Sequence, residues 1–366
     1  MANPPKTMRA VELTGHGGLD KLAYREDRPV PTPGPDEVLI KVHACGLNNT
    51  DVNTRTAWYS KGVSEATTGG ALAGAAQDDA AWGGAPISFP RIQGADVCGT
   101  VTAAGGAEGS GLIGRRVLID PWFRDPEHPL DLDRARYFGS ECDGGFADYT
   151  TAPIRNVHPV ESGLSAAELA TFATSYVTAE NMLNRAGVAG DDVVLIPGAS
   201  GGVGSALIQL AKRRGARVIA LCGEAKAAAV AELGADAVLP RAPADLKAAL
   251  RQATGRETVT VVADVVGGAL WPQLIDVLAR AGRYTCAGAI AGPIVELDLR
   301  TFYLRDLTFT GATIVPPGVF ADLVGYIERG EVRPLLAETH PLKALAAAQE
   351  VFLAKRHVGN IVVTME

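Results

Sequence analysis

The chain has 366 residues, a formal net charge of −7, 47% hydrophobic residues and 20% charged ones. That length can bury a sizeable core and exceeds a typical single domain, so two domains of an ordinary soluble protein are expected. The acidic balance excludes a general nucleic-acid surface, and no apolar run is long enough to span a bilayer.

The opening MANPPKTMRAVEL lacks a basic region followed by an apolar stretch, so it does not read as a secretory signal, and cytoplasmic residence is the expectation. The N-terminal part then offers short strand candidates broken by Pro and Gly. They include residues 37–43, where Val38, Ile40 and Val42 alternate with Leu39, Lys41 and His43, and residues 96–103. This is the texture of a small β-rich domain, in which His43 shares the face of Lys41 and reads as an outward strand residue. Residues 60–88, crowded with Ala and Gly, and residues 120–142, polar with many charges, look inserted. Both are candidate mobile coverings of a cleft, with solvent-facing embellishment as the alternative.

From residue 164 the pattern changes to helices alternating with apolar strands. The strand candidates are 193–196, 218–221, 237–239, 259–263 and 284–287, with helices such as 205–214 and 225–233 between them. This alternation suits a doubly wound parallel sheet. Beyond about residue 300 come loops, one helix near 320–329 and a final strand at 360–364.

Residues 193–221 are the most informative, reading as strand, glycine turn, helix and strand without a break. The turn Ala199, Ser200, Gly201, Gly202, Val203, Gly204 opens directly into the helix, whose first N–H groups can receive a pyrophosphate. Gly201 would let the main chain approach the phosphates and Gly204 would let helix and strand pack closely, while Ala199 replaces the first glycine of GxGxxG. The cluster Lys212, Arg213, Arg214 reads as the solvated C-terminal turn of that helix. Cys45, Cys98, Cys142, Cys222 and Cys286 are odd in number, widely spaced and without a CxxC pair, so neither a disulfide framework nor a zinc ribbon is indicated. Reduced, mostly buried thiols are expected.

Taken together, ACGLNNTD (44–51), IQGADVCGTV (92–101), GGFADY (144–149), GASGGVG (198–204), DVVGG (264–268) and VGNIVV (358–363) resemble the medium-chain dehydrogenase/reductase superfamily. More narrowly they resemble its zinc-free quinone oxidoreductase and enoyl reductase branch, over nearly the whole chain. The resemblance implies an α/β fold: a GroES-like β-rich catalytic domain at 1–160, completed by 301–366, and a Rossmann doubly wound parallel-sheet domain at 161–300. In that family the substrate lies in the cleft between them. Zinc-dependent members carry Cys, His and Cys where this chain has Asn48, Ala95 and Thr174, and a lone Asp96 beside the missing His cannot assemble a tetrahedral site. Cys45 and Cys98 lie near those positions but out of register. The structural-zinc lobe of such enzymes has four close cysteines, whereas 120–142 has one, so no zinc of either kind is expected.

The position that holds the ribose hydroxyls of NAD in acidic form is Cys222, followed by Gly223. Lys226 matches the lysine of NADPH-dependent relatives, and Arg241 can supply a second cation for the 2′-phosphate, so NADPH is favoured over NADH despite Glu224. The resemblance adds Gly288 as a cofactor contact and sets Asn360 where the family often places Lys or Arg on the pyrophosphate, although a simple strand-entry role fits Asn360 as well.

Without a Lewis acid, a substrate activated by conjugation is the easier target, since its enolate or hydroquinone anion needs only hydrogen-bond donors and a proton. Asn48 could offer its amide to the oxyanion, and Thr50 aligns with the proton-relaying hydroxyl of zinc-dependent relatives. Tyr59 falls near the tyrosine resembling the proton donor of enoyl thioester reductases, with packing against substrate as its alternative. Asp51 reads as a brace for the loop. An NADPH-dependent reductase of quinones or α,β-unsaturated carbonyls is the leading expectation. A cofactor-binding protein with little catalysis and zinc-independent alcohol oxidation remain as alternatives. A homodimer paired near the strand candidate at 306–311 is expected by resemblance.

Overall fold

The computed structural model describes residues 4–67, 75 and 86–365. The chain divides into two compact units, one of Met1–Val63, Gly70–Thr174 and Pro316–Glu366, the other of Ser64–Gly69 and Ser175–Val315.

The first unit is built on a seven-stranded sheet. Its path runs Val157–Pro159, Arg116–Ile119, Asp96–Ala104, Glu37–Gly46, Asn360–Thr364 and Leu336–Pro341, with Tyr149–Pro153 also paired to Glu37–Gly46. The C-terminal strand Asn360–Thr364 pairs antiparallel with Glu37–Gly46, placing Val363 opposite Cys45, so the tail completes the N-terminal sheet. A smaller sheet of Leu22–Pro29, Thr7–Leu13 and Arg91–Ile92 shares a core that includes Val38, Ile40, Val97, Phe138, Phe146 and Ile361. The strand Leu336–Pro341 and the helix Leu345–Ala354 occupy a stretch whose sequence reads as loop, because the strand is mostly polar and exposed and the helix is apolar nearly all round, so neither shows a clear face until the sheet supplies one. His43 is half-buried and its Nε2 meets Thr100 Oγ1 at 2.8 Å.

The second insertion is no open covering. Its Trp122–Phe123 strand pairs with Arg136–Tyr137, and Trp122, Phe123, Tyr137 and Phe138 are buried. Four aromatic side chains fix a segment whose charges suggested a solvated loop. Most of the first insertion, residues 68–74 and 76–85, lies outside the described residues.

The second unit carries a six-stranded parallel sheet ordered Ala237–Pro240, Arg217–Cys222, Val193–Pro197, Val259–Asp264, Leu278–Cys286 and Thr308–Gly311. The chain reverses direction across the sheet between Val193–Pro197 and Val259–Asp264, the arrangement that opens a crevice at the strands' carboxyl ends. All five residues of Val193–Pro197 are buried, as a central strand covered on both faces requires. Thr308–Gly311 forms the sheet's edge. Arg214 departs from the solvated helix end expected of it: its guanidinium turns inward to Glu180 at 2.8 Å, with only 13% and 6% of the two side chains exposed. Lys212 pairs with Asp236 at 2.9 Å. All five cysteines are free, with Cys45, Cys98 and Cys222 buried.

Candidate functional site

In the second unit, the strand Val193–Pro197 ends on Gly198, whose φ of +66° turns the chain back. The Gly201 N–H donates to the Gly198 carbonyl at 3.0 Å, and the helix Gly202–Arg213 starts from an extended Gly201. A helix start leaves its first N–H groups, here Gly202, Val203 and Gly204, without intrahelical acceptors, which makes them donors for an anion. A Cβ on Gly204 would fall 2.3 Å from the Gly198 oxygen and 2.8 Å from Ala199 Cα, so this close approach of helix and turn needs glycine. A Cβ on Gly201 would meet nothing nearer than 3.5 Å. The protein itself does not require glycine there, and the bare backbone leaves room for a ligand. Ala199 is fully buried, and its N–H donates to Leu221 O at 3.1 Å, which locks the turn to the neighbouring strand. Ser200 is half-buried.

Cys222 ends the strand Arg217–Cys222, and Gly223 leads into a tight turn at Glu224–Lys226. Burial raises the Cys222 thiol pKa, with the Lys226 charge working against it. Burial lowers the Lys226 ammonium pKa, and Arg241, directly after Ala237–Pro240, adds to that lowering. Cys222, Lys226 and Arg241 therefore share one electrostatic neighbourhood, while Glu224 is exposed.

Across the sheet, the buried Asp264 carboxylate accepts from the Val266 N–H at 2.7 Å, the Gly267 N–H at 3.1 Å and the Tyr284 hydroxyl at 2.8 Å. Those bonds set the loop whose Gly267 and Gly268 take positive φ, and burial holds the Asp264 pKa up. The loop after Leu278–Cys286 runs alongside, with Ala291 N–H donating to Val266 O at 2.8 Å and Gly288 against Val265. The Thr67 N–H, at the described start of the first insertion, donates to Ile290 O at 3.0 Å. That stretch of the insertion is part of the second unit's loop cluster.

In the first unit, Glu37–Gly46 leads through Asn48 into the helix Asn49–Arg55. Asp51 braces this junction: its carboxylate accepts from the Asn48 N–H at 2.8 Å and the Gly94 N–H at 3.2 Å. Burial pushes its pKa up to about 7 against those bonds. Asp96 opens the next strand, and its Oδ1 accepts from the Thr174 N–H at 2.9 Å and from the Thr174 hydroxyl. Thr174 lies in the first turn of the helix Ala173–Arg185, so the carboxylate satisfies an N–H that the helix leaves unpaired. The Tyr137 hydroxyl reaches Thr174 Oγ1 at 2.8 Å. Burial pushes Asp96 up to about 6, with Thr174 and Asn48 opposing the rise. Asn48 Nδ2 and Asp96 Oδ2 are both buried and make no hydrogen bond of good geometry, although Asn48 lies close enough to Asp96 to favour its ionised form.

Tyr59 sits in the turn after Asn49–Arg55, half-buried, its ring edge-on to Trp58 at 5.7 Å. Its phenol bonds to the Asn53 side chain, and burial raises its pKa, as it does that of Tyr137, which interacts electrostatically with Tyr59. Thr50 is half-buried in the first helical turn. Asn360 is buried at the start of the C-terminal strand, its N–H donating to Leu335 O at 2.8 Å.

The three positions that hold zinc in zinc-dependent relatives present an amide, a methyl group and a hydroxyl, and the nearby Asp96 is bonded through Oδ1 to Thr174. This donor set does not fit zinc, which takes thiolate, imidazole or carboxylate. Among the described residues no group of three or more His, Cys, Asp or Glu could hold a metal ion. Sequence reasoning passed over Tyr137 and treated Asp96 only as a poor metal ligand. The signal available for Tyr137 was an aromatic pair, Tyr137 and Phe138, inside an otherwise charged stretch.

The alcohol dehydrogenase GroES-like domain model matches residues 34–162, and the zinc-binding dehydrogenase model matches residues 202–329. The quinone oxidoreductase of Homo sapiens is 25% identical over 358 residues, covering 96% of this chain and 95% of the relative. An NAD-dependent alcohol dehydrogenase of Sulfurisphaera tokodaii is 26% identical, covering 92% and 94%. The crystal structure of a putative alcohol dehydrogenase from Sinorhizobium meliloti is 45% identical with a TM-score of 0.89, covering 99% of this chain and 97% of that one.

Proposed function

The chain belongs to the medium-chain dehydrogenase/reductase superfamily, and from that premise we propose that it is an NADPH-dependent reductase passing hydride to a quinone or an α,β-unsaturated carbonyl without zinc. That it is an oxidoreductase of a nicotinamide-using family follows from the matches themselves. The observation that carries the finer reading is the buried cluster around Asp96. Thr174, one of the three positions where zinc-dependent members place metal ligands, bonds instead to the Asp96 carboxyl and the Tyr137 hydroxyl.

The turn Ala199–Gly204 and the N–H groups of Gly202, Val203 and Gly204 would receive the pyrophosphate, and Lys226 with Arg241 would pair with the 2′-phosphate. Bound there, the cofactor supplies a hydride from its nicotinamide ring. Tyr59 would give the proton, and its raised pKa keeps the phenol protonated at neutral pH, as a donor must be. Asn48 fits the role of oxyanion donor less well, since its Nδ2 is buried beside Asp96. The human relative's name favours a quinone as acceptor. Ile294, Val295, Leu297, Leu299, Tyr303 and Leu304 leave an exposed apolar stretch just before the edge strand Thr308–Gly311, which supports a homodimer pairing there. Cytoplasmic residence belongs to the same proposal. Among the described residues no helix is long and apolar enough to cross a membrane.

A panel of quinones, enones, enals, enoyl thioesters and simple alcohols, followed by NADPH or NADH absorbance, tests the reading. Turnover with conjugated acceptors and NADPH is expected, and Tyr59→Phe should lower it about 100-fold. Tight NADPH binding without turnover would favour a non-catalytic binding protein. Stoichiometric zinc in the purified protein, or activity confined to alcohols, would overturn the zinc-free reductase.

A further inference from the structure

The sheet of the second unit sets which way a dinucleotide must run. Its order puts Arg217–Cys222 and Ala237–Pro240 on one side of Val193–Pro197, and Val259–Asp264 and Leu278–Cys286 on the other. These strands are parallel, so the loops after them gather at one end of the sheet. With the pyrophosphate on the turn after Val193–Pro197 and the adenosine beside Cys222, Lys226 and Arg241, the other half of the molecule has only the far side left to it. There stand the loops 265–268 and 287–292, one and two strands away, or roughly 5 and 10 Å. The two loops are tied together, Ala291 N–H to Val266 O at 2.8 Å and Gly268 N–H to Gly292 O at 3.1 Å. A third segment joins them from much earlier in the chain. Thr67 belongs to the second unit, and its N–H donates to Ile290 O at 3.0 Å. Thr67 is 2% exposed, and its Oγ1 is buried without a hydrogen-bond partner. Covalent geometry keeps that oxygen within about 4 Å of its own N–H nitrogen, hence within about 7 Å of Ile290 O. A buried hydroxyl left unpaired is destabilising, and native structures rarely keep one without a reason.

We propose that Thr67 is a cofactor-binding residue, its hydroxyl holding the nicotinamide carboxamide beside the 287–292 loop. The inference rests on the reading above, in which a nicotinamide dinucleotide lies on the turn Ala199–Gly204. A carboxamide offers one acceptor oxygen and two N–H donors, and a threonine hydroxyl donates one hydrogen bond and accepts others, so the two match in either orientation of the amide. The nicotinamide ring joins its ribose through a single bond and can turn about it. A hydrogen bond from Thr67 stops that turn and fixes which face of the ring is offered to a hydride acceptor. Because Oγ1 is closed off from solvent, the side chains over it must turn aside as the ring enters. The backbone bond to Ile290 O keeps Thr67 on the loop meanwhile. The described start of the first insertion thereby serves the coenzyme, at the end remote from the 2′-phosphate.

The test compares Thr67→Val, which removes the hydroxyl at nearly constant shape, with Thr67→Ser, which keeps it. Titration calorimetry measures four ligands: NADPH, NADH, and the same two molecules without nicotinamide, 2′-phospho-ADP-ribose and ADP-ribose. T67V should weaken NADPH and NADH by the same factor, about 5- to 10-fold, the worth of one neutral hydrogen bond. The two fragments should bind it within about twofold of wild type, and T67S should stay within about twofold for all four. Without ligand, T67V should unfold at a temperature at least as high as wild type, since the hydroxyl it removes has no partner to lose. Coenzyme affinities in T67V equal to wild type would overturn the assignment, and are what an internal water on Oγ1 would give. A matching loss on the fragments, an equal loss in T67S, or a lowered unfolding temperature in T67V would each overturn it too. A wild-type protein that binds neither coenzyme would overturn the dinucleotide reading itself, and the inference with it, a result separate from any difference between the variants.

Discussion

Two glycines of one turn should respond oppositely to the same substitution. In Gly204→Ala the added methyl carbon would lie 2.3 Å from the Gly198 oxygen and 2.8 Å from Ala199 Cα, both backbone atoms. The first contact is short of a tolerable separation by roughly 1 Å, so the helix or the turn must move. Forced repacking of this kind costs on the order of 2 kcal/mol, which for a unit of this size lowers the unfolding temperature by about 5 °C. In Gly201→Ala the methyl meets nothing within 3.5 Å, and the backbone there, φ −80° and ψ 172°, is ordinary extended conformation. Loss of glycine's freedom in the unfolded chain then gives a gain of about 0.5 kcal/mol. Yet the methyl stands where the phosphates are expected to approach, so NADPH affinity should fall at least 10-fold, about 1.4 kcal/mol. Thermal unfolding followed by circular dichroism reads the first effect, and titration calorimetry with NADPH reads the second. The reasoning fails if Gly204→Ala unfolds like wild type, or if Gly201→Ala binds NADPH undiminished.

Three further outcomes follow from charges. Replacing Lys226 with Ala should raise the NADPH KM by about 10- to 100-fold, the worth of a charge-assisted contact to phosphate, and leave the NADH KM nearly unchanged; equal effects would remove Lys226 from the 2′-phosphate. Asp51 has a folded pKa of about 7 against 3.8 when free, so the folded state holds its proton more tightly. Its contribution is therefore fully present below pH 4 and is lost as pH rises toward 7, by on the order of 4 kcal/mol. Denaturant unfolding from pH 4 to pH 8 should show a shallower decline in Asp51→Asn than in wild type, and parallel slopes would contradict the assignment. Arg214→Ala removes the ion pair of the buried Glu180 carboxylate and should cost about 3 kcal/mol, read as a lower denaturant midpoint. A change under 1 kcal/mol would mean that water reaches Glu180.

The nucleotide unit was legible because its signals are local. An apolar strand, a glycine turn and a helix follow one another from Val193 to Arg213, and each obeys a short-range rule of backbone or periodicity. The strand Leu336–Pro341 was not legible, since four of its six residues are exposed and among the described residues it pairs with Asn360–Thr364 alone, itself the last strand. Helix Leu345–Ala354 was missed for a related reason: its Ala-rich run carries little contrast between faces until the sheet supplies one.

At the candidate site the division is similar. Residue types alone spoke against zinc at the three metal positions, and they set the cations Lys226 and Arg241 near a neutral Cys222 where NAD-binding relatives carry an acid, because ligand chemistry and charge belong to the side chain itself. Only the tertiary structure decided that Asp96 bonds to Thr174 across 78 residues, that Tyr137 joins them from a hairpin held by buried aromatics, and that Asn48 is buried near the Asp96 carboxyl. The direction of a proton and the pKa of a buried carboxyl depend on neighbours brought together by folding, and on the water that folding removes.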